Sequence, residues 1–163
     1  CLESKFYAIF LEKLGLGKDP AFAAQFAPGY LFEALRLYRE QFRPSAVLDA
    51  PYAMVGMPLI AADNDAHADY LATTAQQKFL NLIRGRSTRA QPPVESLDWT
   101  PHEQAAVAQH LGAAVVGGPE SVRAGLERFI EQTGADELML VTDVFDAADR
   151  RRSFELVADI WHD

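Results

Sequence analysis

The sequence predicts an α/β domain assembled from parallel strand–helix–strand units. Three observations carry that prediction. The stretch Ala113 to Phe145 reads as one helix-to-strand unit with both ends punctuated. The run Ala53 to Ala62, AMVGMPLIAA, is the longest candidate for a buried strand. Strands and helices then alternate along the chain, the order expected of parallel crossovers in an open doubly wound sheet or in part of a closed barrel. Pattern alone leaves those two architectures open.

From Ser4 to Leu16 the apolar residues Phe6, Tyr7, Phe10, Leu11 and Leu14 mark an amphipathic helix, ended by Gly15 and Gly17. Pro20 to Phe26 is short and apolar and runs into Pro28-Gly29, so it reads as a buried strand opening into a loop. Its small side chains serve close packing or leave room for something flat against the backbone. Tyr30 to Phe42 is a surface helix with oppositely charged neighbours one turn apart, closed by Arg43-Pro44-Ser45.

In the Ala53–Ala62 strand, Gly56 and Pro58 predict a bend or a bulge. Asp63-Asn64-Asp65 follows it. This triplet lacks the glycine and the bidentate Glu of a calcium loop and reads as the N-cap of a helix over Ala66 to Arg84. Gly85 to Leu97, with Pro92-Pro93, reads as an exposed, mobile loop. Thr100-Pro101-His102-Glu103 forms a capping box for a helix reaching Leu111.

In the last unit, Gly117 and Gly118 free the turn, Pro119 fits the first helical position and Glu120 meets the positive end of the dipole. Val122, Leu126, Phe129 and Ile130 share one helix face, and Gly134 sits where a left-handed terminating residue is expected. Leu138-Met139-Leu140-Val141 shows no alternation, which predicts a strand buried on both faces. A final helix is expected over Ala148 to Ile160.

With 163 residues, 49% of them hydrophobic, the chain has the size of a single domain, residues 1–163. Its formal charge of −8 argues against a nucleic-acid backbone or an anionic membrane as partner, since either would repel this surface on average. A lone cysteine, Cys1, suits a reducing compartment, and the cytoplasm is the expected location. No apolar run approaches the roughly 20 residues that span a bilayer, and the first residues do not show the basic flank and apolar core of a signal peptide, so a soluble chain is expected. His67, His102, His110 and His162 are scattered without a metal-binding interval, so no metal site is expected. Arg150-Arg151-Arg152 reads as a solvated or ion-paired face, and Thr142 and Asp143 end the last strand as a turn or as functional groups.

Four segments, read in order, carry a resemblance: LGL, AFAAQFAPGYLFEALRLYREQFRPS, APYAMVGMPLIAADNDAHADYL and AVVGGPESVRAGLERFIEQTGADELMLVTDVFDAADRRRSFELVADI. Together they resemble the C-terminal half of the bacterial luciferase-like monooxygenases, over Leu2 to Ile160. The resemblance implies a partial TIM (β/α)8 barrel with about three parallel strands and surrounding helices, the sixth, seventh and eighth, its first half lying outside this chain. It implies reduced FMN at the C-terminal ends of the strands and oxygen used to oxidise a small organic molecule.

Residue by residue, Glu3 and Ser4 match the family segment that holds the FMN phosphate, with Tyr7 one turn on, where relatives carry a smaller residue. A free helix N-terminus suits that role, although Ser4 also fits a plain N-cap. Phe22, Ala24 and Gln25 match the strand end beneath the flavin, with Gln25 where relatives often carry His. Gln25 keeps hydrogen bonding but not a charge change near neutral pH. The resemblance assigns no catalytic residue. It further implies a separate flavin reductase, since no glycine-rich dinucleotide fingerprint follows a strand. The missing half-barrel, or a homodimer pairing two halves, is the expected partner. The alternative is a non-catalytic flavin-binding or self-associating fragment of the same family.

Overall fold

A computed structural model of the chain describes residues 21–23 and 30–162. The helix expected over Ser4–Leu16 lies outside those residues. The described elements are β1 (Ala21–Ala23), α1 (Leu31–Gln41), β2 (Met54–Ala61), α2 (Asp65–Ile83), α3 (Pro101–His110), β3 (Val115–Gly117), α4 (Pro119–Thr133), β4 (Glu137–Val141) and α5 (Ala147–His162).

Every strand pair is parallel, and β2 is the centre. Ala21 of β1 and Glu137 of β4 both stand opposite Met54, so the two strands occupy opposite edges of β2. The order β1–β2–β4 follows the chain, as consecutive strands of a barrel do. The short β3 pairs with the far end of β2, from Leu59 to Ala61.

Two faces of this sheet differ. Val55, Met57, Leu59 and Ala61 point to one side, where they form the main core with Leu31 and Leu35 of α1, Val122, Leu126 and Phe129 of α4, and Leu156, Val157 and Ile160 of α5. Leu138 and Leu140 of β4, in register with Val55 and Met57, pack on the same side. On the opposite side Ile60 meets Ala68, Leu71 and Ala72 of α2.

Local sequence explains the helix ends. Thr100 Oγ1 accepts from the Glu103 amide while the Glu103 carboxylate accepts from the Thr100 amide, the reciprocal capping box. Gly118 precedes Pro119 at the start of α4, and Gly134 ends it with φ 56°, a left-handed conformation that favours glycine. The Asn64 side chain accepts from the His67 amide at 2.9 Å and starts α2.

Three expectations need correction. Gly56 and Pro58 place no bulge in the pairing with β4, which runs in register from Met54 through Pro58, and pairing with β3 begins at Leu59. The residue without an N–H sits where β2 changes partners, so little of the ladder is lost. β4 is not buried on both faces, because Met139 is 49% and Val141 37% exposed. The loop of residues 85–97 is largely exposed, as expected, but its residues 91–94 are fastened to α2. Gln91 O accepts from Thr74 Oγ1 (3.0 Å), Pro92 O from Gln77 Nε2 (2.8 Å) and Pro93 O from Tyr70 OH (3.4 Å), while the Val94 amide donates to Thr73 Oγ1 (2.9 Å).

Candidate functional site

Parallel barrels place function at the C-terminal ends of their strands, and that end of this sheet is heavily cross-linked. Successive strand amides point to opposite edges. The Ala62 amide donates to Gly117 O, so the Ala61 amide faces the other way, and there it donates to the fully buried Ser153 Oγ of α5 at 2.8 Å. Next along the chain, Asp63 accepts from Arg152 at 3.0 Å. Asp65 accepts from the Gly118 amide at 2.6 Å and Ser121 Oγ at 3.0 Å, which fills the N-terminus of α4. The Gly118 hydrogen bond first, then that from Ser121, lowers the Asp65 pKa. A Cβ on Gly117 would stand 2.6 Å from Ser121 Cβ, so only glycine permits this approach.

Beside this rim lies a cleft of about 250 Å³ between α2 and the sheet face that carries Ile60. Pro58, Ile60, Val116 and Val141 form its sheet side, and Ala72, Ala75 and Phe79 its α2 side. At the cleft Lys78 of α2 donates to Asp143, just beyond β4, at 2.8 Å. A larger hollow of about 430 Å³ lies between α4 and α5, lined by Glu120, Arg123, Glu127 and Asp159. It sits on the helix-packed side of the sheet and is a surface groove between helices.

Of the residues matched to the flavin site, Glu3, Ser4, Tyr7, Ala24 and Gln25 lie outside the described residues. Phe22 lies in β1, its backbone opposite Val55. Asp143 is ion-paired, and Thr142 Oγ1 is buried without a hydrogen-bond partner. Arg150 donates to the carbonyls of Val144 and Phe145, and Arg152 pairs with Asp63, the ion-paired arrangement the sequence predicted for part of that run. His110 stacks on Phe79 with ring centroids 5.3 Å apart. Among the described residues, no group of three or more His, Cys, Asp or Glu side chains could hold a metal, and no helix is long and apolar enough to cross a membrane.

Sequence reading missed Lys78 and Asp65 as cross-links. Their partners lie 65 and 53 residues away, beyond any local pattern.

No protein-family profile matches the chain. Curated relatives do. The chain is 46% identical over 147 residues to a protein of Escherichia coli strain K12 named "Luciferase-like monooxygenase", covering 89% of this chain and 44% of that protein. It is 51% identical over 148 residues to the Bacillus subtilis protein YvbT, again covering 44% of the relative. The chain thus spans less than half the length of these relatives.

Among solved structures, apo-MsnO8 superposes with a TM-score of 0.72 at 26% identity, over 90% of this chain and 46% of that one. The oxygenating constituent of 3,6-diketocamphane monooxygenase from Pseudomonas putida, a type II Baeyer-Villiger monooxygenase solved in complex with FMN, superposes with a TM-score of 0.53 at 17% identity, over 85% and 41%. That second likeness speaks to the fold alone. The architecture is part of a TIM barrel, and the likeness to luciferase-like monooxygenases holds over nine-tenths of the chain.

Proposed function

From homology to a luciferase-like monooxygenase, we propose that this chain carries one side of an FMN-dependent monooxygenase barrel, oxidising a small organic substrate with oxygen. The observation that carries the proposal is the 46% identity over 89% of the chain to a relative bearing that name. The site supports it: parallel strand ends converge on an apolar cleft, the placement barrel enzymes use for ligands.

The chemistry of oxygen activation is supplied by the reduced flavin. The protein's part is to hold it, keep water away and place the substrate. Here Ile60, Val116 and Val141 would form an apolar wall, and the Lys78–Asp143 pair ties α2 to the end of β4. The cleft of about 250 Å³ falls below the roughly 300 Å³ at which pockets for whole cofactor-sized ligands begin, so it can enclose only part of such a molecule. By the resemblance, Glu3, Ser4 and Tyr7 would hold the phosphate, and Phe22, Ala24 and Gln25 would contribute to the ring site. Reduced flavin from a separate reductase, a cytoplasmic location and a barrel completed by the strands that the longer relatives possess belong to the same proposal.

Titration of FMN into the protein, followed by flavin fluorescence, tests this. Saturable quenching weakened about tenfold in Ser4→Ala supports it, the size expected for loss of a hydrogen bond to a charged group. A protein that leaves flavin fluorescence unchanged at every concentration, both alone and when supplied with the complementary half-barrel of a longer relative, refutes it.

The exposed Met139 and Val141 favour a second reading, in which this sheet face is covered by another copy of the chain. Native mass decides that: a stable dimer without flavin supports self-association, and a monomer rejects it.

A further inference from the structure

We infer that the cleft between α2 and the sheet is a binding site selective for a small, neutral, hydrophobic molecule about the size of one substituted ring. Its identification as the substrate site rests on the monooxygenase reading above; the binding itself does not.

Size is the first argument. An apolar cavity of about 150 Å³ takes benzene, and pockets for drug-sized ligands start near 300 Å³. At about 250 Å³ this cleft lies between them. The room comes from sequence: Ala72 and Ala75 stand three positions apart on the α2 face that lines the cleft, where larger helix formers would close it.

Charge is the second argument. Lys78 and Asp143 line the cleft, but they are bonded to each other at 2.8 Å. An anionic ligand at Lys78 competes with Asp143 for its charge, and a cationic one at Asp143 competes with Lys78. A neutral ligand disturbs neither. The uncharged polar side chain in the lining is the Gln76 amide, which can donate or accept a hydrogen bond and so can orient a ligand with a carbonyl or hydroxyl group.

Position is the third. Pro58 and Val141 are in register on neighbouring strands, and Met139, two residues before Val141, shares its face. Met139 is exposed, so the apolar lining continues from the cleft onto the open sheet face. A ligand in the cleft therefore has a path to whatever covers that face.

The test uses the purified protein without added flavin, with fluorobenzene and 4-fluorobenzoate observed by fluorine NMR. Saturable binding of fluorobenzene, at least about tenfold tighter than 4-fluorobenzoate, is expected. Asp143→Asn frees Lys78 and should narrow that preference about threefold, the scale of a partly exposed ion pair. Ala75→Leu should abolish fluorobenzene binding, and Ala114→Leu, at a half-buried lining position, should do the same if the first variant fails to fold. Absence of saturable fluorobenzene binding, equal or tighter binding of 4-fluorobenzoate, or undiminished binding by folded Ala114→Leu overturns the inference. An FMN titration on the same sample separates the two proposals. Ring binding without flavin binding, even with the complementary half-barrel of a longer relative added, removes the monooxygenase reading and leaves the cleft, whereas flavin binding without ring binding does the reverse.

Discussion

Replacing Ser153 by Ala removes one oxygen atom and should cost more than its size implies. The side chain is fully buried on α5, and its Oγ accepts the Ala61 amide at 2.8 Å. Ala61 is itself 1% exposed, so no water reaches the amide once the hydroxyl is gone. Losing a partner while the other group stays buried costs about 1–3 kcal/mol, against about 0.5–1.5 for the hydrogen bond in isolation. The upper part of the range applies, because β2 is fixed by strands on both edges and cannot turn the amide elsewhere. At about 2–4 °C per kcal/mol, a loss of about 2–3 kcal/mol should lower the melting temperature by about 4–12 °C. Urea denaturation measures the loss, and amide exchange at Ala61 locates it, since that proton should exchange faster while the middle of β2 stays protected. A loss under about 0.5 kcal/mol with Ala61 still protected would refute the argument that Ser153 holds the strand end.

Leu126, 1% exposed in the main core, should cost about 3–5 kcal/mol when changed to Ala, and Leu126→Met less than about 1.5, by the same denaturation measurement. Thr73→Val keeps the shape but leaves the Val94 amide without its partner, so limited proteolysis between residues 85 and 97 should accelerate. Glu103 is held down to about 2, first by its hydrogen bond from Arg84 and then by the Thr100 amide. A carboxyl depressed in the folded state stabilises above its ordinary value of 4.5 and loses that contribution as pH falls toward 2. Acid titration followed by circular dichroism should therefore show part of the helical signal lost in that window, and Glu103→Gln should flatten the response.

Elements with their own punctuation were legible. Both ends of α4 were readable because Gly118-Pro119 and Gly134 are local chemical signals, and the same holds for the Asn64 cap and the Thr100 capping box. β4 was misread for an instructive reason. Leu138, Met139, Leu140 and Val141 are all apolar, yet only Leu138 and Leu140 pack on the core. The other pair meets solvent in this structure, so the run encodes a second apolar environment that the described residues do not provide.

β3, three residues hidden before Gly118, was too short to show a period. The site was legible mainly through resemblance. The four-segment likeness holds against the named relatives, but the residues matched to the flavin fall almost wholly outside the described part. The cleft arises from pairings between distant segments, Lys78 with Asp143 and Ile60 with Val116, that no local spacing reveals.

The strap over α2 has a consequence for how this protein can change over time. It is fastened through its own main chain, by the carbonyls of Gln91, Pro92 and Pro93 and the amide of Val94. Every side chain in those four fastenings belongs to the helix: Tyr70, Thr73, Thr74 and Gln77. Codons for residues 91–94 are therefore free to drift, provided Val94 does not become proline. Substitutions in the helix, by contrast, unfasten a segment they do not alter, so divergent sequences over the strap can conceal an unchanged path of the chain.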